Sequence, residues 1–119
     1  MNDTSIFTDV ALYCQMDPNC ISDQFRAHIL DDINTQLNIL HQIGLDFDDE
    51  FYVEDETQMW SSVIGEDPKL NMVKKFVKIG TKLEFDPPTN SFLFDALKNE
   101  YTELTSRINY QVENSGRTL

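Results

Sequence analysis

The sequence predicts an all-α fold: a compact bundle of about four to five helices with short loops and room for one small extended segment. Three observations carry this reading. Apolar residues recur at three- and four-residue spacing over three long stretches, near residues 23–42, 70–83 and 93–112. Proline, glycine and capping residues separate those stretches. None of the three can bury its stripe alone, so they must pack on one another. With 119 residues, 40% of them apolar and eight of them phenylalanine, the chain suffices for one domain and one modest core.

Taken in order, Asp3 or Thr4 is placed to cap a first short helix that runs to about Tyr13, with Ile6, Val10 and Tyr13 on one face. Met16-Asp17-Pro18-Asn19 reads as a turn. Ser22 then caps a helix from Asp23 to about Gln42. Its stripe is Phe25, Ile29, Ile33, Leu37 and Leu40, widened by Leu30 and Ile43, and Gly44 stands where a left-handed C-terminal cap belongs. Residues 45–55 are acidic and irregular, and Phe51-Tyr52-Val53 is the candidate extended stretch. Asp55 caps a short helix holding Met59, Trp60, Val63 and Ile64, which Gly65 ends.

Asp67 and Pro68 suit the cap and first turn of the next helix. Leu70, Val73, Phe76, Val77, Gly80 and Leu83 form its apolar face, and Lys74, Lys75, Lys78 and Lys82 its polar one. A glycine inside a helix costs about 1 kcal/mol, so Gly80 marks a close helix–helix approach. Asp86-Pro87-Pro88 must end this helix, because proline lacks the amide and restricts the residue before it. Thr89 or Asn90 caps the last helix, with a stripe of Leu93, Ala96, Leu97, Tyr101, Leu104, Ile108 and Val112. Residues 113–119 lose the periodicity, which divides the chain into a helical domain, 1–112, and a flexible C-terminal tail, 113–119.

Charge excludes several functions. Nine Lys and Arg against 21 Asp and Glu give a formal net charge of -12. A nucleic-acid binder concentrates basic residues to displace counterions from phosphates, and this surface does the reverse. An anionic membrane surface is disfavoured for the same reason. The charge is uneven: residues 1–67 hold fifteen acids and one base, and residues 68–119 hold six acids and eight bases. Solvated helix faces account for this, and so does packing of acidic face to basic face between successive copies.

No signal-like opening and no apolar run near ~18 residues is present, so the chain is expected to be neither secreted nor membrane-spanning. Cys14 and Cys20 are simplest as free thiols in a reducing cytoplasm. A disulfide is the less economical reading, and His28 and His41 are poorly spaced to complete a zinc site.

The acidic run invites a calcium reading. From Asp46, positions 1, 3 and 5 of a twelve-residue loop are Asp46, Asp48 and Glu50, but position 6 is Phe51 and position 12 is Thr57. Such a loop needs glycine and glutamate there, so a solvated acidic loop is the better account. No nucleophile motif or phosphate-binding glycine loop occurs, and carboxylate pairs arise by chance on an acid-rich surface. The expectation is a non-enzyme with no catalytic residue, metal or cofactor. Trp60 and Phe92 read either as core aromatics or as interface anchors, since large rigid side chains lose little entropy on burial.

The least ordinary string is Leu83-Glu84-Phe85-Asp86-Pro87-Pro88-Thr89-Asn90-Ser91-Phe92. Upstream stand Asn38-Ile39-Leu40-His41-Gln42-Ile43-Gly44 and Glu54-Asp55-Glu56-Thr57-Gln58-Met59-Trp60. Together, over residues 22–112, these resemble the head–tail connector proteins of tailed bacteriophages, also called adaptor or head-completion proteins. The chain departs from that pattern at Gly80-Thr81-Lys82-Leu83-Glu84, where relatives are arginine-rich, and at Ser106-Arg107, where they often have tryptophan.

The resemblance implies a ring, typically of twelve copies, docked beneath the portal protein at one capsid vertex. Such a ring extends the DNA channel and offers a platform for the next neck, stopper or tail-completion protein. It further implies a virion protein made in the host cytoplasm, past which genomic DNA slides without specific binding. The candidate interface residues are Trp60, Lys74, Lys75, Lys78, Phe85, Pro87, Pro88, Phe92, Asn114 and Arg117. Asp46, Asp48, Asp49, Glu50, Glu54 and Asp55 are candidates for an acidic lumen or a subunit contact. Two rivals stay open: an acidic regulatory protein that mimics DNA, and another neck or tail-completion component. A small enzyme comes last.

Overall fold

Serine hydroxyls start the first two helices of the computed structural model, which describes residues 4–45, 51–64 and 70–117, without the side chains of 64, 70 and 113–117. Ser5 Oγ accepts from the Thr8 amide (3.2 Å) and opens α1, Ile6–Tyr13. Ser22 Oγ accepts from the Phe25 amide (3.2 Å) and opens α2, Asp23–Ile43. A short α3, Ser61–Ile64, is followed by α4, Leu70–Phe85, and α5, Ser91–Arg117. The five helices agree with the all-α bundle the periodicity predicts.

Several boundaries differ from the sequence expectation. The first cap is Ser5, not Asp3 or Thr4; the Thr4 hydroxyl instead donates to Asp9 Oδ2 at 2.8 Å. Asp55 caps no helix. Its Oδ1 accepts from the amide and hydroxyl of Thr57 (2.8 and 2.6 Å), which closes a turn and holds its carboxyl below the usual range. Met59 and Trp60 precede α3, and Met59 forms the isolated antiparallel bridge to Ser5. Phe51-Tyr52-Val53 joins no strand. Instead Asn34 takes the place of a neighbouring strand, its Oδ1 accepting from the Val53 amide (2.7 Å) and its Nδ2 donating to the Val53 carbonyl (3.0 Å). The last helix continues to Arg117, past the point where the apolar period fades at Val112. Asp46, Asp48, Asp49 and Glu50, along with Gly65, Asp67 and Pro68, lie outside the described residues.

The helices assemble around α4. It packs against α2, α5 and α1, and α1 also packs on α2. Ile6, Phe7, Val10, Ile29, Ile33, Leu40, Val53, Trp60, Val73, Phe76, Ile79 and Ile108 are fully buried at the centre. Phe76 stacks on Tyr101 of α5 with ring centroids 4.6 Å apart. Gly44 ends α2 at φ 121°, a backbone region that favours glycine, and sits against Val112 of α5.

Gly80 has the role its position in the helix implied. An added Cβ there would lie 2.2 Å from Oε1 of Gln36, a buried residue of α2. The glycine leaves room for that amide, whose Oε1 accepts from the Tyr101 hydroxyl at 2.7 Å. One buried polar side chain thus ties α2 to α5 across α4.

Candidate interaction surfaces

The residues singled out from sequence fall into three places. Trp60 lies in the core. It is fully buried, and its Nε1 donates to Asp9 Oδ2 at 2.8 Å, so in this conformation it offers no partner a surface. The interface-anchor reading of Trp60 gives way to the core reading, because the Ser5–Met59 bridge pulls its loop under α1.

The Asp86-Pro87-Pro88 break organises a second group at one end of the bundle. Lys82 Nζ pairs with Asp86 at 3.2 Å across the last turn of α4. Asn90 caps α5, its Oδ1 accepting from the Leu93 amide at 3.1 Å. Phe85 is half-buried, with the rings of Phe25 (5.8 Å) and His28 (5.4 Å) edge-on to it. Pro87 is exposed and Pro88 half-buried. Phe92, one residue into α5, is 78% exposed.

Phe25, Leu93 and Ala96, which the periodicity assigns to buried stripes, are exposed here. The reason is geometric. Phe76 stacks on Tyr101 and Lys75 pairs with Glu100, which fixes the face of α5 that packs on α4, and Ala96 lies five residues, about 140° around the helix, from Tyr101 and so faces away from α4.

The third group is charged. Lys75 Nζ pairs with Glu100 of α5 at 2.9 Å, a surface bridge worth little by itself. Lys74 and Lys78 are half-buried on the same helix. Asn114 and Arg117 belong to the last turns of α5. Of the acidic candidates, Glu54 is exposed and Asp55 is engaged with Thr57. Among the described residues no group of three or more His, Cys, Asp or Glu is arranged to hold a metal ion, and no helix is long and apolar enough to cross a membrane. Cys14 is buried and Cys20 exposed, both unbonded, and burial pushes the Cys14 thiol up to about 11.

Sequence reasoning missed one surface. Gln24, Ala27, Leu30, Asp31, Tyr52 and Glu54 help to line an open groove of about 900 Å³ between α2 and residues 51–54. Its sequence signal is Tyr52, which follows Phe51 in a segment rich in acids and is 55% exposed.

Asp32 is a carboxylate in an unfavourable setting. Its Oδ2 is buried with no hydrogen-bond partner, and burial, with Glu84 and Asp31 nearby, raises its pKa against the opposing pull of His28. A carboxyl whose folded pKa is raised favours the folded state most when protonated, so its contribution is lost as pH rises through that folded value. Asp32→Asn is therefore expected to raise the melting temperature at pH 7. The gain should shrink on acidification and vanish below about pH 4, where the carboxyl is protonated in both states. Thermal melts of both proteins across pH 3–8 check this, and an equal gain at every pH would assign the effect to packing instead.

No curated protein and no solved structure matches the chain. The family model described as phage connector protein matches residues 6–115, so an all-helical chain with an uncovered aromatic ridge at its proline break belongs to the phage connector protein family.

Proposed function

We propose that this protein is a structural subunit of the head–tail connector, forming a ring beneath the portal that extends the DNA channel and seats the next neck or tail protein. The family match over residues 6–115 is the observation that carries the reading. Membership brings head–tail connection as the function, the virion neck as the place, and portal and tail components as the general partners. The ring of about twelve copies and the channel role go further, and two features support them. An acidic first half and a near-neutral second half suit copies that pack head to tail. The net charge of -12 suits a lumen that repels the phosphate backbone, so DNA passes without sticking.

The portal contact is assigned to the C-terminal end of the chain, residues 113–119 with Asn114 and Arg117, and not to Phe85, Pro87 and Pro88, which stand at the other end of the 27-residue α5. An α5 that runs on to Arg117 supports this by carrying that end beyond its packing on Gly44.

Cryo-electron reconstruction of particles tests the proposal. The expected result is cyclic density for this chain directly below the portal, about twelvefold, with the acidic half towards the channel. A soluble monomer absent from particles would sink it and favour an acidic regulatory protein.

A further inference from the structure

The second half of the chain carries its surplus of bases on one helix. α4 holds four lysines and one acid, Glu84, whereas α5 holds four acids and three bases. Gly80 fixes the face of α4 that meets α2, because it lies against Gln36. Lys78 and Lys82 are each two residues from Gly80, about 200° around the helix. Lys74 and Lys75 are six and five residues from it, about 120° and 140° around. All four lysines therefore line the side of α4 turned away from α2.

The ends of this stripe are partnered within the chain. Lys75 pairs with Glu100 of α5 at 2.9 Å, and Lys82 pairs with Asp86 at 3.2 Å. Between them Lys78 is half-buried and pairs with no acid among the described residues. Such a lysine lays its stem against its neighbours and holds its ammonium at the surface, here without a counter-charge from its own chain.

The first half has the opposite imbalance. Residues 1–67 hold fifteen acids and one base, Arg26, which is paired with Glu56 and lies over the Phe7 ring. Asp31 is exposed and stands five residues before Gln36, about 140° around α2, so it faces away from α4. Exposed Glu54 lines the same groove as Asp31. Asp31 and the lysine stripe thus lie on opposite sides of the α2–α4 pair, and one copy cannot bring them together. Successive copies can, in equal number. Complementary charge on opposite flanks of one chain suits a heterologous contact repeated in one direction.

We propose that the α4 lysine stripe of one copy, centred on Lys78, docks on Asp31 and Glu54 of the next copy. The contact rests on the ring reading above and names its subunit interface.

The test uses the full chain in assembled particles. Lys78→Glu should lower incorporation about tenfold or more by setting like charges together, and Lys78→Arg should preserve it. Asp31→Lys with Glu54→Lys should also lower it. All three reversals in one chain restore the complement with its sign inverted, and should return incorporation to within about threefold of wild type. These positions lie at the surface, and melting curves of the purified variants check that each folds.

Cross-linking gives an independent measure that leaves the charges in place. Asn71 is exposed and nine residues from Gly80, about 180° around α4, so it extends the stripe. In a Cys20→Ser background, with Cys14 buried, Asn71→Cys is combined with Ala27→Cys or with Asn38→Cys, which flank Asp31 on α2. Treated with a short bismaleimide, one of the two pairs should give a ladder of dimers, trimers and larger species on a denaturing gel. Each single-cysteine chain should stay monomeric.

Particles that contain the chain yet give no ladder with either pair, or in which the triple reversal recovers nothing, would overturn the contact and leave the connector reading intact. Normal incorporation of Lys78→Glu with impaired genome ejection would place the stripe on the channel wall and overturn it too. Absence of the wild-type chain from particles would overturn the connector reading itself, and this contact with it.

Discussion

Trp60→Ala is expected to destabilise the protein by about 3–5 kcal/mol, the range for truncating a fully buried large aromatic. Two losses combine. The indole is wholly enclosed in the core, and its removal leaves a cavity that the neighbouring helices fill only in part. Its N–H also donates to Asp9, which afterwards keeps the Thr4 hydroxyl. A domain of this size has about 5–15 kcal/mol in total, so the variant should melt on the order of 10–20 °C lower. Trp60→Phe keeps most of the volume and loses only the donor, which should cost about 1–2 kcal/mol. Circular-dichroism melts of the three proteins decide the point. A melting temperature unchanged by Trp60→Ala would mean the indole is not core, and would return it to the list of interface anchors.

Gly80→Ala is expected to destabilise by about 2 kcal/mol, although alanine is the better helix former by about 1 kcal/mol. The added methyl would stand 2.2 Å from Gln36 Oε1 and 2.3 Å from its Cδ, so the amide must move. Gln36 is only 3% exposed and has little room to go. Moving it breaks the bond from Tyr101 and leaves two buried polar groups to find partners, about 1–3 kcal/mol for each left unsatisfied. The diagnostic is the combination with Gln36→Ala. In that background the obstruction is gone, and Gly80→Ala should become neutral or stabilising by up to about 1 kcal/mol. A double-mutant cycle by chemical denaturation measures this coupling, and additive effects would refute the contact.

Much of the fold was legible in the residues. Ser22, Gly44 and Asn90 are chemical signals tied to the backbone groups they satisfy, so α2 and the start of α5 fell within a residue of their predicted limits. Gly80 was legible because a glycine inside a helix must be repaid by packing. The partner, Gln36, was not legible, since it lies 44 positions away and nothing local marks it.

The stripes of α2 and α5 were read as buried along their whole length, but Phe25, Leu93 and Ala96 are exposed. Periodicity reports which face of a helix is apolar. It does not report how far along that face a neighbour extends.

By itself, then, the sequence determined the helical class, the caps at Ser22, Gly44 and Asn90, the proline break after Phe85 and the charge imbalance, because each follows from residue chemistry acting over a few positions. Tertiary structure decided which apolar residues stay uncovered. Trp60 went inside, held by Asp9 and the bridge at Ser5, and Phe92 was left outside because it lies half a turn around α5 from Tyr101, which packs on α4. Both are large aromatics at the margin of a helical stripe, and both gain from burial. Only the positions of elements distant in the chain distinguish an aromatic that completes a core from one left to meet a partner.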